Sequence, residues 1–99
     1  MNHDPLDLES QEAARADKQD RARLDAQVEA DDIKWLMGSK RGRRIVQRQL
    51  DRAGVWQLSF NTNSMTMAFN EGRRNEGLRL MAAIMLHAPD RYTDMTQGK

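Results

Sequence analysis

Few side chains in this 99-residue sequence combine a reactive type with a useful spacing. There is no cysteine, which excludes a disulfide framework, a thiolate metal site and a cysteine nucleophile. The histidines, His3 and His87, fall in different segments with no acids spaced to converge on them, so neither a metal site nor a nucleophilic triad is indicated. The stretch Gly38-Ser39-Lys40-Arg41-Gly42 is glycine-rich. It lacks the G-x-x-x-x-G-K-[ST] spacing of a phosphate loop, and no strand pattern precedes it.

What remains is arginine. Arg41, Arg44, Arg48 and Arg52 recur at intervals of 3, 4 and 4, which places their guanidinium groups on one side of a helix. A line of this kind can contact nucleic-acid phosphates, or pair carboxylates bidentately at a protein interface, or stand solvated beside its i, i+4 neighbours. The pI near 8.2 falls below that of a dedicated DNA-binding domain. A second polar cluster, Asn70 to Gly77, brings Glu71, Arg74 and Asn75 to one helical side with Arg73 and Glu76 adjacent. It reads either as a network at a helix crossing or subunit contact, or as an exposed polar waist.

The elements that must carry these groups are helical. From about Leu8 to Ala30 there is no Gly or Pro, and the residues favour helix apart from the aspartates. The apolar face of that segment is thin, Leu24 and Val28 with alanines upstream, so it predicts an arm that frays in isolation and is ordered by a partner. Asp31 or Asp32 can cap a second, short helix with Ile33, Leu36 and Met37 on one side, ended by Gly38. Ser39 is the expected N-cap of a third helix reaching Ala53, with Gly54 in the left-handed position beyond it. Val46, Leu50 and Ala53, joined by Ile45, form its core stripe.

Val55, Trp56, Leu58 and Phe60 make an apolar connector, and Asn61 to Ser64 supply capping residues for a last long helix over about 65–87. Its apolar positions are Met65, Ala68 and Phe69, then Leu78, Met81, Ala82, Ile84 and Met85. Gly72 and Gly77 mark a close crossing or a kink. Pro89 opens a final turn containing Tyr92 and Met95, followed by a tail. No sustained period-two alternation and no internal repeat is present. The expected architecture is all-α: a bundle of about four helices over 32–99, with an acidic helical arm over 1–31.

Charge divides at the same place. Residues 1–32 hold ten acids against four bases, a net −6, and the remainder holds twelve bases against five acids, a net +7. Either the arm folds onto its own body or it reaches the body of a neighbouring copy, building a chain or ring. The 38% hydrophobic content and mean hydropathy of −0.87 leave little material for a core and exclude a multi-domain enzyme. No apolar run approaches the roughly 20 residues a membrane crossing requires. Met1 to Pro5 carries neither a basic nor an apolar leader pattern, so the expectation is a soluble, unprocessed chain.

The strings Ile33-Lys34-Trp35-Leu36-Met37, Arg41-Gly42-Arg43-Arg44, Arg52-Ala53-Gly54-Val55, Ser59-Phe60, Asn63, Phe69-Asn70-Glu71-Gly72-Arg73-Arg74-Asn75, Gly77-Leu78 and Pro89 with Tyr92 occur in that order. In this they resemble a family of small tailed-phage proteins encoded among the head-assembly genes near the portal of short-tailed phages. The resemblance covers about Asp32 to Met95. It implies a virion structural protein and not an enzyme: a head-to-tail connector adaptor, without cofactor or metal, located at the head-to-tail interface. Its partners would be the dodecameric portal ring, neighbouring copies of itself in a matching dodecamer, a tail or nozzle protein, and DNA in the channel, with no membrane. Within that role Arg41, Arg44, Arg48, Arg52, Arg73 and Arg74 are expected at electrostatic interfaces, and Trp35, Trp56, Phe60 and Phe69 in packing. The competing expectation is a nucleic-acid-binding, internal or ejected virion protein whose arginine face meets packaged DNA.

Overall fold

Helix is the only regular structure among the residues that the computed structural model describes, 5–99, with side chains from residue 7. His3 and the other leading residues lie outside that range. The all-α class expected from the pattern is what the chain adopts. By its contacts it divides into a unit ending at Asp31 and a second unit, Asp32–Lys99.

The first helix, α1 (Pro5–Met37), runs without interruption through Asp31 and Asp32, where the sequence predicts a cap and a new helix. The reason is local. No Gly or Pro lies between Leu6 and Met37, and Asp31 turns its carboxylate sideways to accept from Gln27 Nε2 at 3.1 Å instead of capping the backbone. In the first unit every described side chain through Glu29 is exposed, Leu8, Leu24 and Val28 included. Its helicity rests on propensity and on lateral pairs such as Arg21–Asp17 at 2.6 Å and Arg23–Asp20 at 2.9 Å, each contributing about 0.2–0.5 kcal/mol.

The second unit begins with the last turns of α1, which deliver Ile33 and Met37 to a core shared with Val46, Leu50, Val55, Ile84, Ala88 and Met95. Helix α2 (Lys40–Ala53) is capped as its sequence predicts: Ser39 Oγ accepts from the Gly42 N–H at 3.0 Å. Val46 and Leu50 are buried and Ala53 half-buried, whereas Ile45 is exposed. One residue is about 100° of helix, enough to turn Ile45 out of the stripe. Beyond Ala53, Gly54 adopts φ +75° and its N–H reaches the Leu50 and Asp51 carbonyls at 3.2 and 3.1 Å, which folds Val55 back into the core.

Helix α3 (Ser64–His87) is started by Asn63, whose Oδ1 accepts from the N–H groups of Met65 and Thr66 at 3.0 and 3.1 Å. Of its expected apolar positions only Ile84 is fully buried, with Leu78 and Met81 half-buried; Met65, Ala68, Phe69, Ala82 and Met85 are exposed. The two glycines differ. A Cβ on Gly77 would lie 2.6 Å from both Ala53 Cβ and Val55 Cγ1, so Gly77 is where α3 crosses α2, while Gly72 faces open space. Helix α4 (Pro89–Thr96) has proline in its first turn, and Tyr92 donates from its hydroxyl to Met81 Sδ at 3.6 Å. The residues after it, expected as tail, form a closed helix end: Gly98 has φ +71°, its N–H bonds the Met95 carbonyl at 3.1 Å, and the Lys99 N–H bonds the Asp94 carbonyl at 2.8 Å.

Candidate interaction surface

The arginine line is a surface feature of α2. Arg41, Arg44, Arg48 and Arg52 are all exposed, and among the described residues none of them takes part in an ion pair. Arg52 and Arg73 share a groove with Gln49, Ala53, Glu76, Gly77 and Leu80, so the α2–α3 crossing brings one member of each predicted arginine cluster together. The Arg73 guanidinium also lies over the Phe69 ring, 5.9 Å from its centroid, which shields part of that ring and favours the cation.

The Asn70–Gly77 cluster is neither fully buried nor a bare polar waist. Glu71 accepts from the Ser59 hydroxyl and faces Arg74 Nη1 at 3.9 Å, so the connector 54–63 is pinned to α3 through one carboxylate. Arg74 is half-buried and its Nε is a buried donor without an acceptor, whereas Asn75 is exposed. Glu76 instead faces Arg79 at 3.6 Å in an exposed pair.

Arg43 is the residue that the spacing argument missed. It is 9% exposed, and its Nη1 donates to the Met37 carbonyl at 2.9 Å while its Nε donates to the Lys99 carbonyl at 3.0 Å. One guanidinium thus joins the end of α1, the start of α2 and the chain beyond α4. The signal was available, since Arg43, Val46 and Leu50 stand at i, i+3 and i+7 and therefore share the core side of α2.

None of the four aromatic residues expected in packing enters the core. Trp35 is 81% exposed, and Trp56, Phe60 and Phe69 are exposed as well. The two tryptophans have defined local surroundings. Trp35 follows Lys34 on the outer side of α1 and borders a shallow notch with Leu36, Arg41, Gly42 and Ile45, while Trp56 donates from Nε1 to Asp51 at 2.8 Å and is held at the end of α2. With Leu58, 91% exposed, and Met65, these side chains form a large outward-facing apolar inventory.

Among the described residues no group of three or more His, Cys, Asp or Glu is placed to hold a metal ion, and His87 is half-buried in the last turn of α3. No helix of these residues is long and apolar enough to cross a membrane.

Residues 33–97 match the model of a family described as Bbp19-like phage protein. That segment covers nearly all of the second unit and none of the first. No curated protein and no solved structure matches the chain.

Proposed function

The chain belongs to the Bbp19-like phage protein family, and from that premise we propose that it is a virion structural protein, a head-to-tail connector adaptor that acts by binding alone. In this reading it docks as a ring on the portal, in contact with neighbouring copies, and offers its other side to a tail or nozzle protein. Neither catalysis nor a cofactor is part of the role. The observation that carries it is the distribution of large side chains in the second unit. A small core coexists with exposed Trp35, Trp56, Leu58, Phe60, Met65 and Phe69 beside exposed arginines. Monomeric proteins rarely leave so much large apolar surface in water, and Trp, Phe, Met and Arg are the types that interfaces concentrate. The arginines Arg41, Arg44, Arg48, Arg52, Arg73 and Arg74 supply electrostatic contact to an acidic partner surface.

The test is light scattering of the purified chain, alone and mixed with its portal, with circular dichroism to follow helix content. Co-migration with the portal ring and a rise in helix support the adaptor. A fully helical monomer that ignores the portal and binds duplex DNA overturns it. One observation favours that second reading, an internal or ejected nucleic-acid-binding protein: the α2 arginines have no ion-pair partner among the described residues. Salt separates the two. Phosphate binding through four arginines weakens with a log–log slope of about −0.9 per phosphate neutralised, whereas apolar and bidentate docking persists.

A further inference from the structure

We propose that the arginine face of α2 is the docking surface for the acidic helical segment of a second copy of this chain. The contact rests on the reading of the protein as a self-assembling virion component, and it names the two surfaces that meet.

The face of α2 is a stripe with a defined pattern. Arg41, Arg44, Arg48 and Arg52 share one side, with exposed Ile45 at its edge and Trp35 at its N-terminal end. The first unit carries the complementary stripe. Asp17, Asp20, Leu24, Val28 and Asp31 follow at intervals of 3, 4, 4 and 3, which keeps all five on one side of α1, and all five are exposed. Carboxylates thus flank an apolar pair on one helix, while guanidinium groups flank an apolar residue on the other.

Length agrees with charge. At 1.5 Å per residue the acidic stripe spans about 21 Å and the arginine face about 16 Å, so one covers the other end to end. Within the first unit Asp17 and Asp20 meet only exposed partners, Arg21 and Arg23, and exposed pairs of that kind are readily exchanged. Arginine forks suit carboxylates, and Leu24 and Val28 against Ile45 and Trp35 would shelter those bonds from water. A phosphate backbone would match the arginines but leave Ile45 and Trp35 unused, which is why a second copy fits the face better. Because the two surfaces differ, the contact is heterologous and closes into a ring or extends into a chain.

The test uses full-length chains in sedimentation velocity over a concentration series at low and high salt. One variant reverses the face, Arg44→Glu with Arg48→Glu and Arg52→Glu. The other reverses the stripe, Asp17→Lys with Asp20→Lys and Asp31→Lys. Wild type is expected to associate, each variant alone to associate roughly tenfold more weakly or not at all, and their equimolar mixture to recover association. Circular dichroism verifies that helix content is kept, and the milder pair Arg48→Gln with Arg52→Gln must shift association in the same direction. A wild-type chain that stays monomeric, variants that associate as wild type does, or a mixture that fails to recover would each overturn the proposal. Portal co-sedimentation separates the two readings: a monomeric wild type that still binds portal sinks this contact alone, and a self-associating chain that ignores portal sinks the adaptor alone.

Discussion

Arg43 and Met37 are joined by a buried hydrogen bond, 2.9 Å from Nη1 to the backbone carbonyl, across the turn between α1 and α2. The Met37 side chain is itself fully buried, so the same residue contributes apolar volume through its side chain and an acceptor through its backbone. At a helix C-terminus the last carbonyls have no intrahelical donor, and Arg43 supplies one of the missing partners. Its Nε does the same for Lys99, where the chain closes beyond α4. A residue inside a basic run therefore acts as an internal clasp.

Removing that clasp should cost stability out of proportion to its surface. Arg43→Ala leaves the buried Met37 carbonyl without its donor, at about 1–3 kcal/mol, and opens the part-buried Lys99 carbonyl to water. We expect a net loss of about 1–3 kcal/mol, read as a lower urea midpoint with an unchanged slope. Arg43→Lys offers one ammonium in place of a planar fork and should recover less than half of that loss. Stability of Arg43→Ala within about 0.5 kcal/mol of wild type would show that the bonds carry no net weight.

Three glycines should respond in different ways to the same methyl group. At Gly42 a Cβ would meet the Leu36 carbonyl oxygen at 1.8 Å, a backbone atom with no room to move, so Gly42→Ala should separate α1 from α2 and unfold the second unit or nearly so. At Gly77 the obstacles are the Ala53 and Val55 side chains at 2.6 Å, and Gly77→Ala should cost about 1–3 kcal/mol. Gly72 faces open space, and Gly72→Ala should stabilise α3 by about 0.5–1 kcal/mol through helix propensity. Thermal unfolding of the three variants checks the order, and a destabilised Gly72→Ala would contradict it.

These glycines show what was legible in the sequence. Ser39, Asn63 and Gly54 act through bonds to residues only a few positions away, and Pro89 through its own ring, so their capping and stop signals could be read directly from local order. The distinction between Gly72 and Gly77 depends on where α2 lies against α3, and pattern alone treats them alike. The uninterrupted α1 was missed because Asp31 has two uses for one carboxylate, a cap or a lateral bond to Gln27, and propensity does not choose between them. Trp35 and Phe69 are expected in packing within the role that the resemblance implies, which does not fix the surface they pack on. In a core this small the inner positions are taken by Met37, Leu50 and Ile84, and the largest rings stay outside. Of the candidate site, the spacing of Arg41, Arg44, Arg48 and Arg52 already placed them on one face, while the link between Arg52 and Arg73 required the helix crossing.

The exposed arginines should be dispensable for folding. Arg44→Gln with Arg48→Gln and Arg52→Gln removes no ion pair found among the described residues, so the urea midpoint should change by no more than about 0.5 kcal/mol in stability. The same triple variant should self-associate more weakly, with the deficit largest at low salt, where charge contacts are least screened. A chain that lost stability and association in parallel would point to a structural role for the line.

Trp35 offers a direct optical reading of docking. With its ring 81% exposed, the free chain should show the red-shifted emission of a hydrated indole and ready quenching by iodide, and Trp56, also exposed, should add to that signal. Docking that covers Trp35 should shift the emission to shorter wavelength and protect it from iodide. To isolate the contribution, Trp56→Phe should keep the shift and Trp35→Phe should abolish it, while neither substitution changes stability by more than about 1 kcal/mol because neither ring is in the core. Phe60→Ser and Leu58→Ser remove apolar surface of the same kind, so they should leave the fold intact, raise solubility of the free chain and weaken portal binding. An emission spectrum already blue-shifted in the monomer would mean that Trp35 is covered within the free chain, and the apolar surface on which the adaptor reading stands would be smaller than these exposures imply.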